Sequence, residues 1–392
     1  MNLWTPLSQS FINDPYPVYE TIRNHAPVYQ TRTDEYVITD YHLIQQILKD
    51  KINFRVGNSK EWLHRSVVYF KSKDRDFTAI SEALNSFILL INPPRHKELR
   101  KFITEAWPDK EVDQIIRDNC ESLIGDLPKK PFDFIESFAS KLPTMTIGKI
   151  LGLKEPVYNE LRVHGEQMIK ALDFYLRLED LVKIDESAKA FISQFRKIVQ
   201  KPPTDGLIKR IIDLNKGRNS PLSENELVSI CIFLFVAGEE TTTSFLSTSV
   251  YNLLKEDKWS DITNNELEAV VNELLRYDGP VQLLGRISNN DLKIKDAFIT
   301  KEKSIILCLA AANRDPKVFK KPDIINYKRS QKNLAFGSGI HFCLGDWLAK
   351  KQAYIALEVL ARELPNLSME QQQIRWKNQL AIRRLKSLWL RY

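Results

Sequence analysis

Apolar residues recur at helical spacing along most of this 392-residue chain, and only short stretches alternate as strands do. Helical spacing is clearest at residues 18–24, 40–49, 95–107 and 110–126. It continues through most of residues 135–215, where Pro202-Pro203 interrupts it. Strand patterns occur at residues 28–30, 36–39 and within 291–307. The pattern therefore predicts a mainly α protein with a minor β component.

Two segments differ from this pattern. Residues 51–90 show no clear periodicity, which in a compact protein is typical of a functional or disordered segment. The longest apolar run, residues 230–237, lies in a long predicted helix that begins with the capping-box spacing of Ser223 and Glu226. Because this run is too short to span a bilayer and no signal peptide is recognised, we expect a soluble, cytoplasmic protein without a transmembrane anchor.

The composition is that of a globular protein, with 43% hydrophobic and 27% charged residues. The net charge of +7 comes from lysines and arginines spread along the chain, and no nucleic-acid-binding motif is present. Nucleic acid is therefore not an expected partner. A basic surface can attract an acidic electron-transfer protein, although a simple excess of solvated lysines explains the charge equally well.

The four cysteines are widely spaced and predict no disulfide framework, which favours a reducing compartment. One of them, Cys343, lies among glycines in the segment 336–345, ahead of a helical pattern over residues 344–360. Backbone N–H groups and the positive end of that helix favour its thiolate. A single thiolate is unsuited to structural zinc, which takes four ligands, but suits haem iron as an axial ligand. The alternative is an inert cysteine in a glycine-rich turn.

The segment Phe336-Gly337-Ser338-Gly339-Ile340-His341-Phe342-Cys343-Leu344-Gly345 resembles the haem-binding signature of the cytochrome P-450 superfamily, F-G-x-G-x-H-x-C-x-G, at every fixed position. The resemblance implies that Cys343 ligates the iron of heme b (iron protoporphyrin IX). It implies that Phe336, Gly337, His341 and Gly345 belong to the cofactor-binding loop. It also implies one helix-rich domain over residues 1–392, with small β-sheets around a buried haem, of the soluble bacterial or archaeal type.

The long predicted helix carries a polar interruption, Ala237-Gly238-Glu239-Glu240-Thr241-Thr242. A glycine inside a helix costs about 1 kcal/mol relative to alanine, and a threonine hydroxyl can bond back to the helix carbonyls. A distorted turn facing a cavity and a polar patch where the helix surfaces both fit. The segment resembles the family's oxygen-activation motif, A-G-x-[DE]-T-T. The resemblance implies that Glu240 feeds a proton relay, that Thr241 supports oxygen activation, and that Ala237 and Gly238 lie over the haem.

Four basic residues occur in segments similar to those that bind the haem propionates in this family: His96, Arg100, Arg286 and His341. His96 and Arg100 share one face of the helix predicted after Pro93-Pro94. Arginine suits carboxylate pairing because its guanidinium can donate two parallel hydrogen bonds. Without the resemblance, each would be interpreted as an ordinary surface residue.

Glu273 and Arg276 lie three residues apart on a predicted helix, where they can form an ion pair. Their segment is similar to the family's E-x-x-R helix, which implies a structural role with Arg329 as a third member. After the cysteine loop, the sequence departs from the family pattern at Lys350 and Lys351, which we expect on the surface that docks an electron donor.

The sequence therefore predicts an enzyme, a haem-thiolate monooxygenase that hydroxylates or epoxidises a small lipophilic substrate. No flavin or iron–sulfur segment is recognised, so electrons are expected from an external ferredoxin or flavodoxin, and the protein is expected to be a monomer. Three alternatives stay open. The same haem chemistry could perform desaturation or phenolic coupling, the protein could be a non-catalytic haem-binding sensor, or it could be a helical protein without haem.

Overall fold

The computed structural model describes residues 3–58, 61, 77–107 and 112–392. Its helices, numbered in chain order, are α1 (Gln9–Asn13), α2 (Tyr16–His25), α3 (Tyr41–Lys49), α4 (Thr78–Leu84), α5 (Arg95–Ala106), α6 (Val112–Gly125), α7 (Lys141–Leu151), α8 (Glu155–Lys170), α9 (Leu178–Gln200), α10 (Gly206–Lys216), α11 (Glu224–Lys255), α12 (Asp261–Asn264), α13 (Leu267–Asp278), α14 (Leu309–Asn313) and α15 (Asp346–Glu363). Single turns of 3₁₀-helix occupy Ile88–Leu90 and Gly339–His341, and a π-helix occupies Ile135–Ala139.

The strands are short: β1 (Val28–Gln30), β2 (Tyr36–Ile38), β3 (Phe54–Arg55), β4 (Phe132–Asp133), β5 (Leu283–Ser288), β6 (Leu292–Ile294), β7 (Ala297–Ile299), β8 (Ser304–Cys308), β9 (Ser368–Met369) and β10 (Trp389–Arg391). The mainly helical architecture with small sheets is therefore confirmed.

Most predicted elements begin and end within a few residues of the observed ones. The helix predicted from Lys110 is α6; Lys110 itself lies outside the described residues. The helix predicted over 344–360 begins two residues later, at Asp346, because Gly345 occupies the N-cap position. The sequence did not predict helix α4, because residues 51–90 show no clear periodicity and the two turns of this helix are too short for a periodic pattern to stand out. Residues 59–60 and 62–76 of that stretch lie outside the described residues.

The described residues divide into two compact units. The first comprises residues 1–56, 124–139 and 244–392, and the second comprises residues 57–123 and 140–243. The single domain expected over residues 1–392 stays a prediction.

The first unit is built on a five-stranded sheet with the order β1-β2-β8-β5-β3. Strand β8 runs parallel to β2 and antiparallel to β5, which pairs Ile306 with Val37 on one side and with Gly285 on the other. Residues 305–308 of β8 are all buried, as expected for a central strand covered on both faces. The apolar side chains of α3, including Ile44 and Ile47, complete the core around this sheet.

The second unit is helical in its described residues. Helix α9 packs against α8 and α4, and α10 packs against α5 and α7. Phe191 and Phe195 of α9 form a ring cluster with Phe235 of α11, with centroids 5.9 to 6.3 Å apart. These aromatic pairs stabilise the unit beyond their buried area, by roughly 0.5–1.5 kcal/mol each.

Helix α11 is long, and its central part is buried along its whole circumference except at a few positions. The predicted capping box is confirmed: the Ser223 backbone N–H donates to Glu226 Oε2 at 2.9 Å, and the Glu226 N–H donates to Ser223 Oγ at 3.3 Å. Within the described part of the chain, α11 is the one helix long and apolar enough to cross a membrane by composition, although most of its apolar window is buried inside the protein. Burial of this kind is typical of a core helix in a water-soluble protein.

Candidate active site

The cysteine loop of the first unit is held by its own backbone. The Cys343 N–H donates to the Phe336 carbonyl at 3.1 Å, which closes the loop. Cys343 lies three residues before α15, whereas the sequence predicted a helix directly after it, from Leu344. Phe336 and Phe342 pack with centroids 6.4 Å apart, and the Lys350 ammonium lies 5.4 Å from the Phe336 ring centroid. The loop therefore presents a partly accessible cysteine beside an aromatic and a basic side chain.

The three glycines of this loop differ in their backbone conformation and in what a side chain at each position would meet. Gly337 and Gly339 have φ values of +72° and +73°, in the left-handed region that favours glycine. A Cβ on Gly339 would also lie 2.2 Å from the Leu48 carbonyl oxygen at the end of α3. A Cβ on Gly337 would lie 3.8 Å from Leu284 Cδ1 of β5, so the loop runs beside the strand that carries Arg286. A Cβ on Gly345 would meet nothing within 4 Å.

Cys343 differs from the other three cysteines in its exposure. Cys120, Cys231 and Cys308 are fully buried. Burial raises the pKa of the Cys120 and Cys231 thiols to about 12 and raises the pKa of Cys308 as well. These three therefore remain protonated and inert, which leaves Cys343 as the cysteine able to act as a thiolate ligand.

Arg286 is a buried cation on strand β5. It is 6% exposed, and its guanidinium donates to the adjacent Gly285 carbonyl at 2.8 Å. Burial lowers its pKa to about 10. Among the described residues Arg286 forms no ion pair, so within that part of the chain this charge is buried without a carboxylate. Such a site fits an external carboxylate, because a buried charge is costly unless it is paired.

Helix α11 has an accessible face at the predicted motif. From Leu227 to Val250, only Ala237, Gly238 and Thr241 are not fully buried. Ala237 and Thr241 lie one turn apart and share one face of the helix, whereas a Cβ on Gly238 would lie 3.1 Å from the Ile147 side chain of α7. The helix is therefore partly accessible at Ala237 and Thr241. The Thr241 hydroxyl donates back to the Ala237 carbonyl at 2.9 Å, which confirms the predicted back-bond.

The two glutamates of the motif turn away from that face. Glu239 and Glu240 are both buried, at 1% and 2% exposed. Thr144 of α7 donates to Glu239 Oε1 at 3.2 Å. The sequence predicted a role for Glu240 and none for Glu239, although a second acidic residue inside an apolar helix was a signal for it.

His96 and Arg100 lie on α5, one turn apart as predicted. His96 is 3% exposed, and burial together with the Arg100 charge lowers its pKa. Arg95, the neighbour of His96, forms an ion pair with Glu226 at the start of α11. This contact ties the beginning of α5 to the helix that carries the Ala237–Thr242 segment.

The predicted structural triad is present in the first unit. Glu273 accepts two hydrogen bonds from the Arg276 guanidinium, each 2.8 Å, and a third from Arg329 Nε at 3.0 Å. All three side chains are buried. The Asn326 backbone N–H also donates to Glu273 at 2.8 Å. The role of Arg329 as a third member is therefore confirmed, and the triad fixes the segment that leads to the cysteine loop.

Thus the structure brings Phe336, Gly337, His341, Cys343 and Gly345 together in one loop beside the strand of Arg286. It places Ala237, Gly238, Glu240 and Thr241 on adjacent turns of α11, and His96 with Arg100 on α5. Lys350 lies in the second turn of α15, with its Nζ 3.9 Å from Asp346 Oδ2, and Lys351 is the next residue of the helix.

A sequence profile of the cytochrome P450 family matches residues 255–381. The chain is 31% identical to Cytochrome P450 109 from Bacillus spizizenii over 88% of this chain and 83% of the relative. It is 29% identical to the Biotin biosynthesis cytochrome P450 of Bacillus subtilis over 97% of both chains. The crystal structure of P450BioI in complex with an acyl carrier protein ligated to hexadec-9Z-enoic acid superimposes with a TM-score of 0.86, at 27% identity, over 98% of this chain and 100% of that chain.

Proposed function

Since the chain belongs to the cytochrome P450 family and is therefore a haem-thiolate monooxygenase, we propose that Cys343 supplies the thiolate and that the enzyme oxidises a small lipophilic substrate. The observation that carries the proposal is the partly accessible Cys343 in its closed loop, while the other cysteines are buried. When bound, heme b supplies the chemistry that activates dioxygen.

The residues present fit such a cofactor in their donor chemistry. Arg286 is a buried cation without a carboxylate partner among the described residues, and a propionate would supply the missing charge. We assign the other propionate contacts to His96, Arg100 and His341. The partly accessible turn at Ala237 and Gly238 would accept the flat surface of the macrocycle, because neither residue has a side chain beyond Cβ. Phe336, Gly337 and Gly345 would pack around the thiolate.

We assign proton supply to Glu240 and Thr241. Thr241 lies on the accessible face of α11, so its hydroxyl can hold a proton close to the reacting oxygen. Glu240 is the adjacent buried acid that returns protons to it. An intact acid–threonine pair also argues against a dedicated peroxide-driven enzyme.

We further propose that the electrons come from an external ferredoxin or flavodoxin, with Lys350 and Lys351 on the docking surface. A cation on this surface would attract an acidic partner. The enzyme is proposed to work in the cytoplasm as a monomer.

The test uses the haem-loaded protein with a ferredoxin reductase system, NADH and ¹⁸O₂. Incorporation of one labelled oxygen atom into a lipophilic product supports hydroxylation or epoxidation. A product that lacks the label and has lost two hydrogens points to desaturation or phenolic coupling. Haem that is reduced by the donor but never turns over with any substrate would favour the sensor.

Thr241→Ala tests the assigned proton supply. We expect it to bind haem and substrate normally but to divert oxygen to hydrogen peroxide, because the hydroxyl at the accessible face is lost. NADH consumption, peroxide and product are measured together. Thr242→Ala, one position round the helix and fully buried, is the matched control. Equal coupling of NADH to product in Thr241→Ala and the wild type would contradict the role of Thr241.

A carrier-bound acyl chain is a second candidate substrate. P450BioI was solved with an acyl-loaded acyl carrier protein, and the present chain is similar to it over nearly its full length. A net charge of +7 would attract an acidic carrier. The absorbance shift of the oxidised haem is titrated with free hexadecenoic acid and with the same acid on its carrier. Tighter binding of the carrier form at low salt, lost at high salt, would favour this candidate.

A further inference from the structure

Helix α5 begins with an arginine, at the end of the helix where the backbone dipole disfavours a cation. Arg95 is its first residue, and the N-cap residue Pro94 makes no side-chain cap. A positive charge near a helix N-terminus is unfavourable in itself, because the unpaired backbone N–H groups there are positive. The stability of the isolated helix therefore does not explain this arginine, whereas its partners do.

Arg95 joins two carboxylates. It donates to Glu98 Oε2 at 2.7 Å on its own helix and to Glu226 Oε1 at the start of α11. The other oxygen of Glu226 accepts from the Ser223 backbone N–H at 2.9 Å and from the Ser223 hydroxyl at 3.0 Å. The acid of the capping box thus uses one oxygen to cap α11 and the other to hold α5.

Glu98 extends this chain of charges. Its Oε1 accepts from Arg218, which lies in the connection between α10 and α11. The Arg218 guanidinium also lies 5.0 Å from the centroid of the Phe102 ring on α5, and its Nε donates to the Ser220 carbonyl at 3.1 Å. Four side chains therefore form one alternating series, the α5 clamp: Glu226, Arg95, Glu98 and Arg218.

The acids of the α5 clamp are ionised at neutral pH. The hydrogen bond from Arg95 lowers the pKa of Glu98. Burial opposes the ionisation of Glu226, but hydrogen bonds from Ser223 and Arg95 lower its pKa overall. The clamp side chains are between 21% and 43% exposed, so salt can screen their attraction.

The clamp contacts one face of α5, and the basic residues assigned to the haem propionates lie on another. Arg95, Glu98 and Phe102 are spaced i, i+3 and i+7, which places them on one face. His96 and Arg100 share a second face, since each residue turns an α-helix by about 100°. A helix held along its first face presents its second face in a fixed orientation.

We propose that Arg95 and Glu226 are positioning residues for the haem: the α5 clamp orients α5 so that His96 and Arg100 meet the propionates together. The proposal rests on the propionate contacts assigned to His96 and Arg100 above. Without the clamp, α5 stays helical but reorients, so the two basic side chains hold the propionates for less of the time. Haem is then lost faster, although the fold is kept.

The test is the rate of haem transfer from the oxidised, haem-loaded protein to excess apomyoglobin, for Arg95→Gln, Glu226→Gln and the double variant. Glutamine at position 226 can still serve the capping box. We expect each single variant to lose haem about fivefold faster at low salt, the upper end for a partly exposed ion pair. The double variant should be no faster than either, because both changes break the same contact. At about 1 M salt, where the Debye length is about 3 Å, the wild type should approach the rate of the variants.

Arg196→Gln is the matched control. Arg196 pairs with Glu82 of α4 at 2.6 Å and with Glu224 of α11 at 3.4 Å, and its side chain is 38% exposed, as that of Arg95 is. It should lower the Tm as much as Arg95→Gln does but leave haem loss unchanged. Arg95→Lys, which keeps the charge, should recover most of the slow haem loss. If Arg95→Gln does not fold, Glu226→Gln gives the same comparison.

Wild-type haem loss in both Arg95→Gln and Glu226→Gln, effects of the two changes that multiply, or equal acceleration in Arg196→Gln would overturn the proposal. Arg100→Gln separates the two ways in which it can fail. If Arg100→Gln speeds haem loss and Arg95→Gln does not, only the positioning role is wrong. If Arg100→Gln leaves haem loss unchanged, the propionate assignment is wrong, and the positioning role falls with it.

Discussion

The buried triad of Glu273, Arg276 and Arg329 should be the costliest place in the first unit to remove a charge. In Glu273→Gln the side chain keeps its shape, but it loses its charge and one acceptor for the donors that now converge on it. Breaking a buried ion pair by removing one partner costs about 3–5 kcal/mol. Arg276 and Arg329 each keep three backbone carbonyl acceptors, which places the expected loss near the lower end, about 3 kcal/mol.

The assay is thermal unfolding of the haem-loaded protein, followed by circular dichroism and by Soret absorbance. A loss of this size should lower the Tm by about 3–4 °C, because the unfolding entropy of a 392-residue protein is about 0.8 kcal/mol/K. Glu268→Gln is the control, because Glu268 is exposed on the same helix, α13, and should change stability by less than about 0.5 kcal/mol. If the two variants unfolded at the same temperature, the interpretation of Glu273 as the anchor of two buried arginines would be wrong.

Two further substitutions test the loop and its neighbouring strand. Arg286→Leu should leave the stability of the haem-free protein unchanged or higher, since it removes a buried charge, yet should speed haem loss at least about tenfold; unchanged haem dissociation would contradict a propionate contact. Gly339→Ala should lower the Tm and haem content, because a side chain there meets the Leu48 carbonyl at a positive φ. Gly125→Ala, whose Cβ meets nothing within 4 Å, should do neither.

The sequence predicts most of the fold because its long elements carry strong local signals. Helix α11 has a capping box and a long apolar pattern, and α3 is N-capped by Asp40, whose carboxylate accepts a hydrogen bond from the Leu43 N–H at 2.9 Å. Helix α4 lacks such local signals: it is two turns long, its N-cap residue Phe77 makes no side-chain cap, and the Ile80 N–H of its first turn donates instead to Asp185 of α9 at 3.3 Å. Its position depends on tertiary packing, with Ile80, Ala83 and Leu84 fully buried, and local pattern does not show that.

In the candidate site, the fixed residues of the cysteine loop could be predicted from the sequence, because glycines at positive φ around one accessible cysteine form a distinctive pattern. The burial of Glu239 could not be predicted in the same way. Glu239 is buried against Gly165 of a different helix, and the distance between α8 and α11 cannot be inferred from the sequence of either helix alone. Long-range contacts of this kind, like the hydrogen bond from Arg329 to Glu273 across 56 residues, need the folded structure.

The most direct test of the account is the carbon monoxide difference spectrum of the dithionite-reduced protein, beside Cys343→Ser and Cys120→Ser. If a thiolate at Cys343 ligates the haem iron, we expect a strongly red-shifted Soret band in the wild type and in Cys120→Ser, because Cys120 is a buried, inert thiol. We expect loss of that band in Cys343→Ser. A wild-type band at the position of histidine-ligated haem, or a red-shifted band that survives Cys343→Ser, would contradict the account.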